Sequence, residues 1–201
     1  MSAQQLAADP RLVRTATSSV PLVPLLAERW SPRSFDADAV VDDRALTALL
    51  EAARWAPSAS NQQPRRFVVG RRGTATFEAV LSALLGFNQA WASRASVLVV
   101  AIAEVETAEG EVRRWAEHDL GLAVAALSVQ AHAEGLHTHQ MGGIDVDALR
   151  AAFDLPQRLV PVTVVAVGRV APAELLDERA TARETAERTR LPLEELVLVR
   201  E

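Results

Sequence analysis

The chain has 201 residues, a formal net charge of −5, 49% hydrophobic and 23% charged residues, which suits a soluble globular domain with its own core. It contains no Cys, no Lys and no Tyr, and all 21 of its cations are Arg. Disulfides, thiolate nucleophiles, Cys-ligated zinc, iron–sulfur clusters, Schiff-base lysines and tyrosine acids are therefore excluded, and the acidic balance argues against nucleic acid as a partner.

Residues 1–20 are rich in Ala, Ser and Thr and read as a flexible N-terminal extension, ahead of one domain at 21–201. The Arg, Ser and Thr content of that extension also fits a transit peptide. It has no continuous apolar core of a secretion signal, and the longest apolar run, Val97–Ala103, is far short of a membrane span. A cytoplasmic protein without a membrane partner is expected. Leu25–Trp30 predicts a short helix with Pro24 in its first turn. Asp42 or Asp43 caps a second helix, whose Leu46, Leu49, Leu50 and Ala53 share one face. Pro57–Pro64 is a polar loop, Phe67–Val69 a short strand, Thr74–Leu85 a helix and Ser96–Ala103 a central strand. Glu109–Glu134 is the longest helical stretch. Its first half is charged, and Leu120–Ala131 is apolar on nearly every side. A chain of this size has little interior to surround such a helix, so a partner subunit is predicted on one face. Gly135 stops it. A capped helix over Asp145–Phe153, a central strand over Pro161–Gly168 and a charged helix over Glu174–Thr189 follow. The tail Leu191–Glu201 carries a Leu-Val-Leu-Val run, suited to adding a strand to a sheet edge, its own or a neighbour's. The alternation predicts an α/β or α+β fold.

No Gly-x-Ser-x-Gly elbow, P-loop or Gly-x-Gly-x-x-Gly is present. His137-Thr138-His139 suits one face of a strand, yet a metal site would need a third ligand. His118-Asp119 serves packing, a dimer contact or catalysis equally well. The arginines stand out. Arg29-Trp30-Ser31-Pro32-Arg33 holds two guanidiniums and a hydroxyl, and Arg188-Thr189-Arg190 two more guanidiniums. Converging, they would make a dianion site of charge-assisted hydrogen bonds worth roughly 1.5–3 kcal/mol each; as separate surface arginines they would do nothing of the kind.

Arg29-Trp30-Ser31-Pro32-Arg33-Ser34-Phe35 resembles the Arg-x-Ser-x-Arg-x-Phe opening of the FMN-dependent nitroreductase family. Pro57-Ser58-Ala59-Ser60-Asn61-Gln62-Gln63-Pro64 is similar to its Pro-Ser-x-x-Asn-x-Gln-Pro loop. Gly135-Leu136 with Gly142-Gly143-Ile144-Asp145, Val164–Gly168 as a last core strand, and Arg188-Thr189-Arg190-Leu191-Pro192-Leu193-Glu194 resemble the remaining motifs, all in order. The resemblance implies an α+β fold with a mixed sheet flanked by helices, in an intertwined homodimer with FMN at each subunit interface. It implies Arg29, Ser31 and Arg33 on the FMN phosphate, ribityl chain and pyrimidine edge, and Asn61 on the isoalloxazine. Gly142 and Gly143 would lie behind the ring, and Arg188 and Arg190 would clamp the phosphate. No side chain is implied as catalytic acid or base, since the flavin carries the chemistry. Arg33 at the pyrimidine edge favours the negative charge that develops on reduction. The implied reaction is ping-pong hydride transfer from NAD(P)H through flavin N5 to a small-molecule acceptor: a nitroaromatic, quinone or enone. The same fold with FMN also suits dehalogenation, azoline oxidation or oxygen-dependent flavin fragmentation, or a non-catalytic flavin-binding relative.

Three departures from the pattern stand out, the first being the extra residues 1–20 ahead of the opening motif. Pro64-Arg65-Arg66 replaces the family's Pro-Trp, which leaves Arg65 at the cofactor edge or merely exposed. The stretches that often build a lid are short. Trp91 and Trp115 are candidates for stacking on a substrate or for packing on a helix face.

Overall fold

Every residue of strand β2 (Val97–Glu104) is buried. The strand lies inside a four-stranded sheet and is covered on both faces, so its sequence is a continuous apolar run rather than an alternation. The computed structural model describes residues 14–201; the first part of the N-terminal extension lies outside them. The sheet order is β1 (Arg65–Arg71), β2, β4 (Leu159–Gly168), β3 (His137–Met141). Side chains alternate across it with period two. Val97, Val99, Ala101 and Ala103 face a core shared with helices α2 (Asp43–Arg54) and α5 (Ala116–Ala133). Leu98, Val100 and Ile102 face a second core, built on α3 (Ala75–Ser82), α4 (Phe87–Ala92) and α6 (Val146–Phe153). Helix α1 (Pro24–Glu28) precedes these, and α7 (Glu178–Thr185) and α8 (Leu193–Leu196) close the chain.

The class is α+β, as expected. All three strand pairings are antiparallel, however, so the sheet of the described residues is not mixed. The reason is the strand order. Only the connection through α5 crosses the sheet, and the two strands it links, β2 and β3, run the same way with β4 between them.

The capping signals hold: the Asp42, Thr74 and Asp145 side chains each accept the amide three residues on. Four elements differ from expectation. Helix α5 starts at Ala116, because the charged residues before it turn back on themselves: Arg113 N donates to Val105 O and Thr107 N to Glu111 O. Helix α4 was not expected; it carries Trp91, which is 2% exposed and packs against His139 at 4.6 Å. The charged stretch Glu174–Thr189 is helical only over Glu178–Thr185, with a 3-10 turn at Ala173–Leu175 before it. The tail makes a short helix instead of a strand. Its Leu193, Leu196, Leu198 and Val199 are exposed.

Candidate functional site

The opening motif is anchored through its backbone and through the buried Trp30, Ser34 and Phe35, which leaves the Arg29, Ser31 and Arg33 side chains to face a ligand. The Glu184 carboxylate on α7 accepts the amides of Arg33 (2.8 and 3.0 Å) and Ser34 (3.0 Å). Burial pushes the Glu184 pKa up, against those hydrogen bonds. The Ser34 hydroxyl donates to Pro172 O at 2.6 Å. His139 Nδ1 lies 2.9 Å from Pro32 O, which ties the motif to β3; a neutral ring donating from Nδ1 meets that carbonyl. Phe35, fully buried, bridges to Val170 and packs against Gly168 so closely that a Cβ there would come within 2.9 Å of its ring.

The closing arginines converge on this motif. Arg188 donates to Ala27 O (3.0 Å) and Arg29 O (2.9 Å), and also to Arg14 O. Burial lowers the pKa of Arg188, and Arg29, Arg190 and Arg14 lower it further; Arg29 is lowered by burial and then by Arg190. Among the described residues, no carboxylate lies within ion-pair distance of Arg29, Arg33, Arg188 or Arg190. Arg33 feels the Glu184 carboxylate, but Arg29 and Arg188 are shifted only by burial and by other arginines, an arrangement that a dianion would satisfy. Arg14 was absent from the expected set. Its guanidinium lies over the Trp30 ring at 4.8 Å and caps the end of α7 at Glu184 O and Ala186 O. Residues of the N-terminal stretch thus dock here, and Ala16 N also donates to Ala27 O.

Strand β3 ends at Met141, directly before Gly142 and Gly143. A Cβ on Gly142 would meet nothing, while one on Gly143 would stand 3.2 Å from Asn88 Nδ2. The backbone there is open on one side and backed by Asn88 on the other. Asn88 lies in helix α4, which no periodicity announced.

Asn61 does not join these residues. Its loop sits at the start of α5, where Ala59 N donates to the buried Asp119 carboxylate at 2.9 Å. The arginines sit near the far end, where His132 Nε2 lies 3.9 Å from the Glu28 carboxylate. Asp119 to His132 is roughly 20 Å of helix at 1.5 Å per residue. Beside the loop, Arg65 is buried rather than exposed: Nη2 donates to Arg54 O at 2.6 Å, Nη1 has no partner, and burial lowers its pKa. Trp115 is 51% exposed; its ring meets that of His118 on α5 edge-on at 6.2 Å. A groove of about 630 Å³ runs along the open edge of β1, lined by Leu50, Arg54, Gln62, Arg66, Phe67 and Val69.

His137 and His139 do not combine. His137 faces Trp30 and His132, and His139 faces Trp91. Burial pushes both down to about 4. No group of three metal-ligating side chains occurs among the described residues, nor does any helix there have the length and apolarity to cross a membrane.

The nitroreductase family model matches residues 26–86 and 70–169. A Thermus thermophilus NADH dehydrogenase is 32% identical over 205 residues, which cover 86% of this chain and 93% of that protein. A solved oxidoreductase containing FMN is 35% identical, with a TM-score of 0.85 over 90% of this chain and 93% of its own. A Desulfovibrio desulfuricans protein solved in complex with FMN is 25% identical, with a TM-score of 0.71 over 90% and 99%. The chain belongs to the nitroreductase family and is an oxidoreductase.

Proposed function

We propose that the chain is a cytoplasmic FMN-dependent oxidoreductase, a homodimer that passes a hydride from NAD(P)H to a nitroaromatic, quinone or enone. The observation that carries this reading is the cluster of Arg29, Arg188 and Arg190: Arg188 donates to the Arg29 carbonyl at 2.9 Å, burial and then Arg190 lower the Arg29 pKa, and burial and then Arg29 and Arg190 lower that of Arg188. An FMN phosphate fits it: a dianion there meets guanidinium forks that no described carboxylate engages. Bound FMN supplies the hydride chemistry when reduced and reoxidised. The protein binds and orients. Ser31 and Arg33 lie on the backbone-anchored turn beside the phosphate end and suit the ribityl chain and pyrimidine edge. The uncrowded backbone at Gly142 suits close approach of a planar ring. One domain at 21–201 carries all of these residues.

The separation of the parts supports the dimer. Asn61 stands about 20 Å from the arginines along α5, so one chain does not bring it to their ligand. A two-fold partner supplying the Asn61 loop completes the site. The outer face of α5, with exposed Gly121, Leu122 and Ala125, supports such a partner. So do the open edge of β1 and the exposed apolar tail, which suit each other as edge and added strand.

The test is a visible absorption spectrum of the purified protein, taken before and after NADPH, then NADH, without oxygen. An oxidised-flavin spectrum that bleaches, and recovers with a quinone, is expected. A protein that FMN cannot colour would overturn the cofactor. A flavin that neither nicotinamide bleaches would overturn the donor.

A further inference from the structure

The Asn61 loop is built in a conformation its own residues resist. Ser60 (φ 48°), Asn61 (φ 54°) and Gln63 (φ 50°) all lie in the left-handed region, and none is Gly. Such backbone persists only where neighbours over-determine it. Within the loop, Asn61 N donates to Ser58 O (3.1 Å), Gln62 N to Ala59 O (3.0 Å) and Gln63 N to the Ser58 hydroxyl (3.0 Å). These bonds shape the turn but do not attach it to the body. Two buried carboxylates do.

Asp119, on the first turn of α5, is 2% exposed. Its Oδ2 takes the Ala59 amide at 2.9 Å, and its Oδ1 lies 3.1 Å from His118 Nδ1. Glu104, at the end of β2, is equally sequestered and gathers three arginines: Arg66 at 2.7 Å, Arg113 at 3.3 Å, and Arg158. Two of them reach on to the loop. Arg113 Nη1 donates to Gln62 O, and Arg66 Nη1 to Gln63 O, each at 2.9 Å. Glu104 N also donates to Pro64 O at 2.8 Å. The carbonyls of Gln62, which lies between two of the strained residues, and of Gln63, itself strained, are thus held by cations whose positions one carboxylate sets.

We propose that Asp119 and Glu104 are positioning residues for Asn61. Asp119 acts directly on the Ala59 amide, and Glu104 acts through Arg113 and Arg66 on the Gln62 and Gln63 carbonyls. That this geometry serves a flavin rests on the function proposed above; that the two carboxylates hold the loop does not. Neither touches a ligand. Each converts a costly backbone into a fixed one, and what is fixed is where the Asn61 amide group points.

The experiment has a flavin-free arm and a flavin-bound arm, on the full chain. In the flavin-free arm, amide hydrogen exchange of residues 59–63 is measured in wild type, Asp119→Asn, Arg113→Ala and Arg113→Lys. Asp119→Asn and Arg113→Ala are expected to raise exchange there at least tenfold while β2 and β4 keep their protection. Arg113→Lys, which still reaches both the carboxylate and the carbonyl, recovers most of it. Arg113 stands on the turn before α5, outside both hydrophobic cores, so Arg113→Ala gives a folded variant should Asp119→Asn fail to fold. Exchange at the wild-type rate in Arg113→Ala would overturn the clamp. In the FMN-loaded arm, Arg113→Ala is expected to shift the visible flavin bands and raise KM for a quinone about tenfold at unchanged melting temperature. Faster exchange with unshifted bands and unchanged KM would overturn the link from loop to flavin. Failure of wild type to bind FMN would overturn the proposed function, and the exchange arm would still decide the clamp.

Discussion

Arg188 and Arg190 stand two residues apart and have different surroundings. Arg188 directs its N–H groups at the carbonyls of Arg14, Ala27 and Arg29, so it knits the N-terminal stretch, α1 and the opening motif together. Arg190 is exposed and, among the described residues, donates only to its neighbour Thr189 O. Arg188→Ala should therefore lower both stability, by about 2 kcal/mol, and FMN affinity, since hydrogen bonds from a charged donor contribute on that order. Arg190→Ala should leave stability within ~0.5 kcal/mol, as for an ordinary surface change. Its FMN dissociation constant should still rise at least about tenfold, because one charge-assisted contact is worth that much. Melting curves and flavin fluorescence titrations of the two variants separate the roles; an Arg190→Ala protein with wild-type affinity removes Arg190 from the phosphate site. The motif arginines were legible because residue type and spacing are written in the chain. Glu184, Asp119 and Glu104 were not. A lone carboxylate in a charged helix carries no mark of burial, and its role appears only when a distant segment folds against it. Arg65 shows the same limit: the chain shows the departure from Pro-Trp, and only packing decides that it is buried on Arg54 O.

At the scale of elements, helix α5 is the feature that the proposed dimer requires. Its inner face packs on α2 and β2 through Leu120, Ala123, Leu127 and Ala131. Its outer face leaves Gly121, Leu122 and Ala125 uncovered within the chain. Small residues there permit close approach of a second helix. Leu122→Arg should place a charge in that contact, give a monomer by size exclusion with light scattering, and release FMN together with the partner's Asn61 loop. A variant that stays dimeric and keeps its flavin would place the interface elsewhere. The apolar stretch of α5 was legible from its composition, whereas its start was not. The charged residues 109–115 have fair helix propensity, but no face of them is buried, and the backbone bonds to Val105 O and Glu111 instead. Propensity yields to tertiary pairing there. The tail is the converse case. Its Leu-Val-Leu-Val run has strand character, but a strand needs an edge to pair with, and within its own chain the tail pairs with neither edge strand, β1 or β3.

The molecule as a whole has two cores back to back on one sheet, and this decides how it responds to acid. The buried histidines belong to the seam where the opening motif meets β3. His137 is enclosed by Trp30, His132 and Arg29, and burial is the largest cause of its low pKa, with the two cations adding to it. His139 is enclosed by Trp91, the Pro32 carbonyl and Arg33; burial again dominates, and the carbonyl bond opposes it. Both stand at about 4 in the folded chain against 6.5 when exposed. The unfolded chain therefore binds more protons between those values, and stability falls as pH falls through that window. By pH 4 each histidine removes about 3 kcal/mol. Glu184 acts with the opposite sign. Its raised pKa adds stability at low pH that is lost as pH rises above its ordinary value, so it blunts the loss. Urea midpoints at pH 7.5, 6, 5 and 4.5 should fall steadily in wild type and much less in His137→Gln/His139→Gln. Because His139 anchors Pro32, and His137 stands against Trp30 and Arg29, the same acidification should loosen the arginine turn before the chain unfolds, and FMN release should precede the loss of helical circular dichroism. Simultaneous transitions, or a double variant as acid-sensitive as wild type, would remove the histidines as the cause.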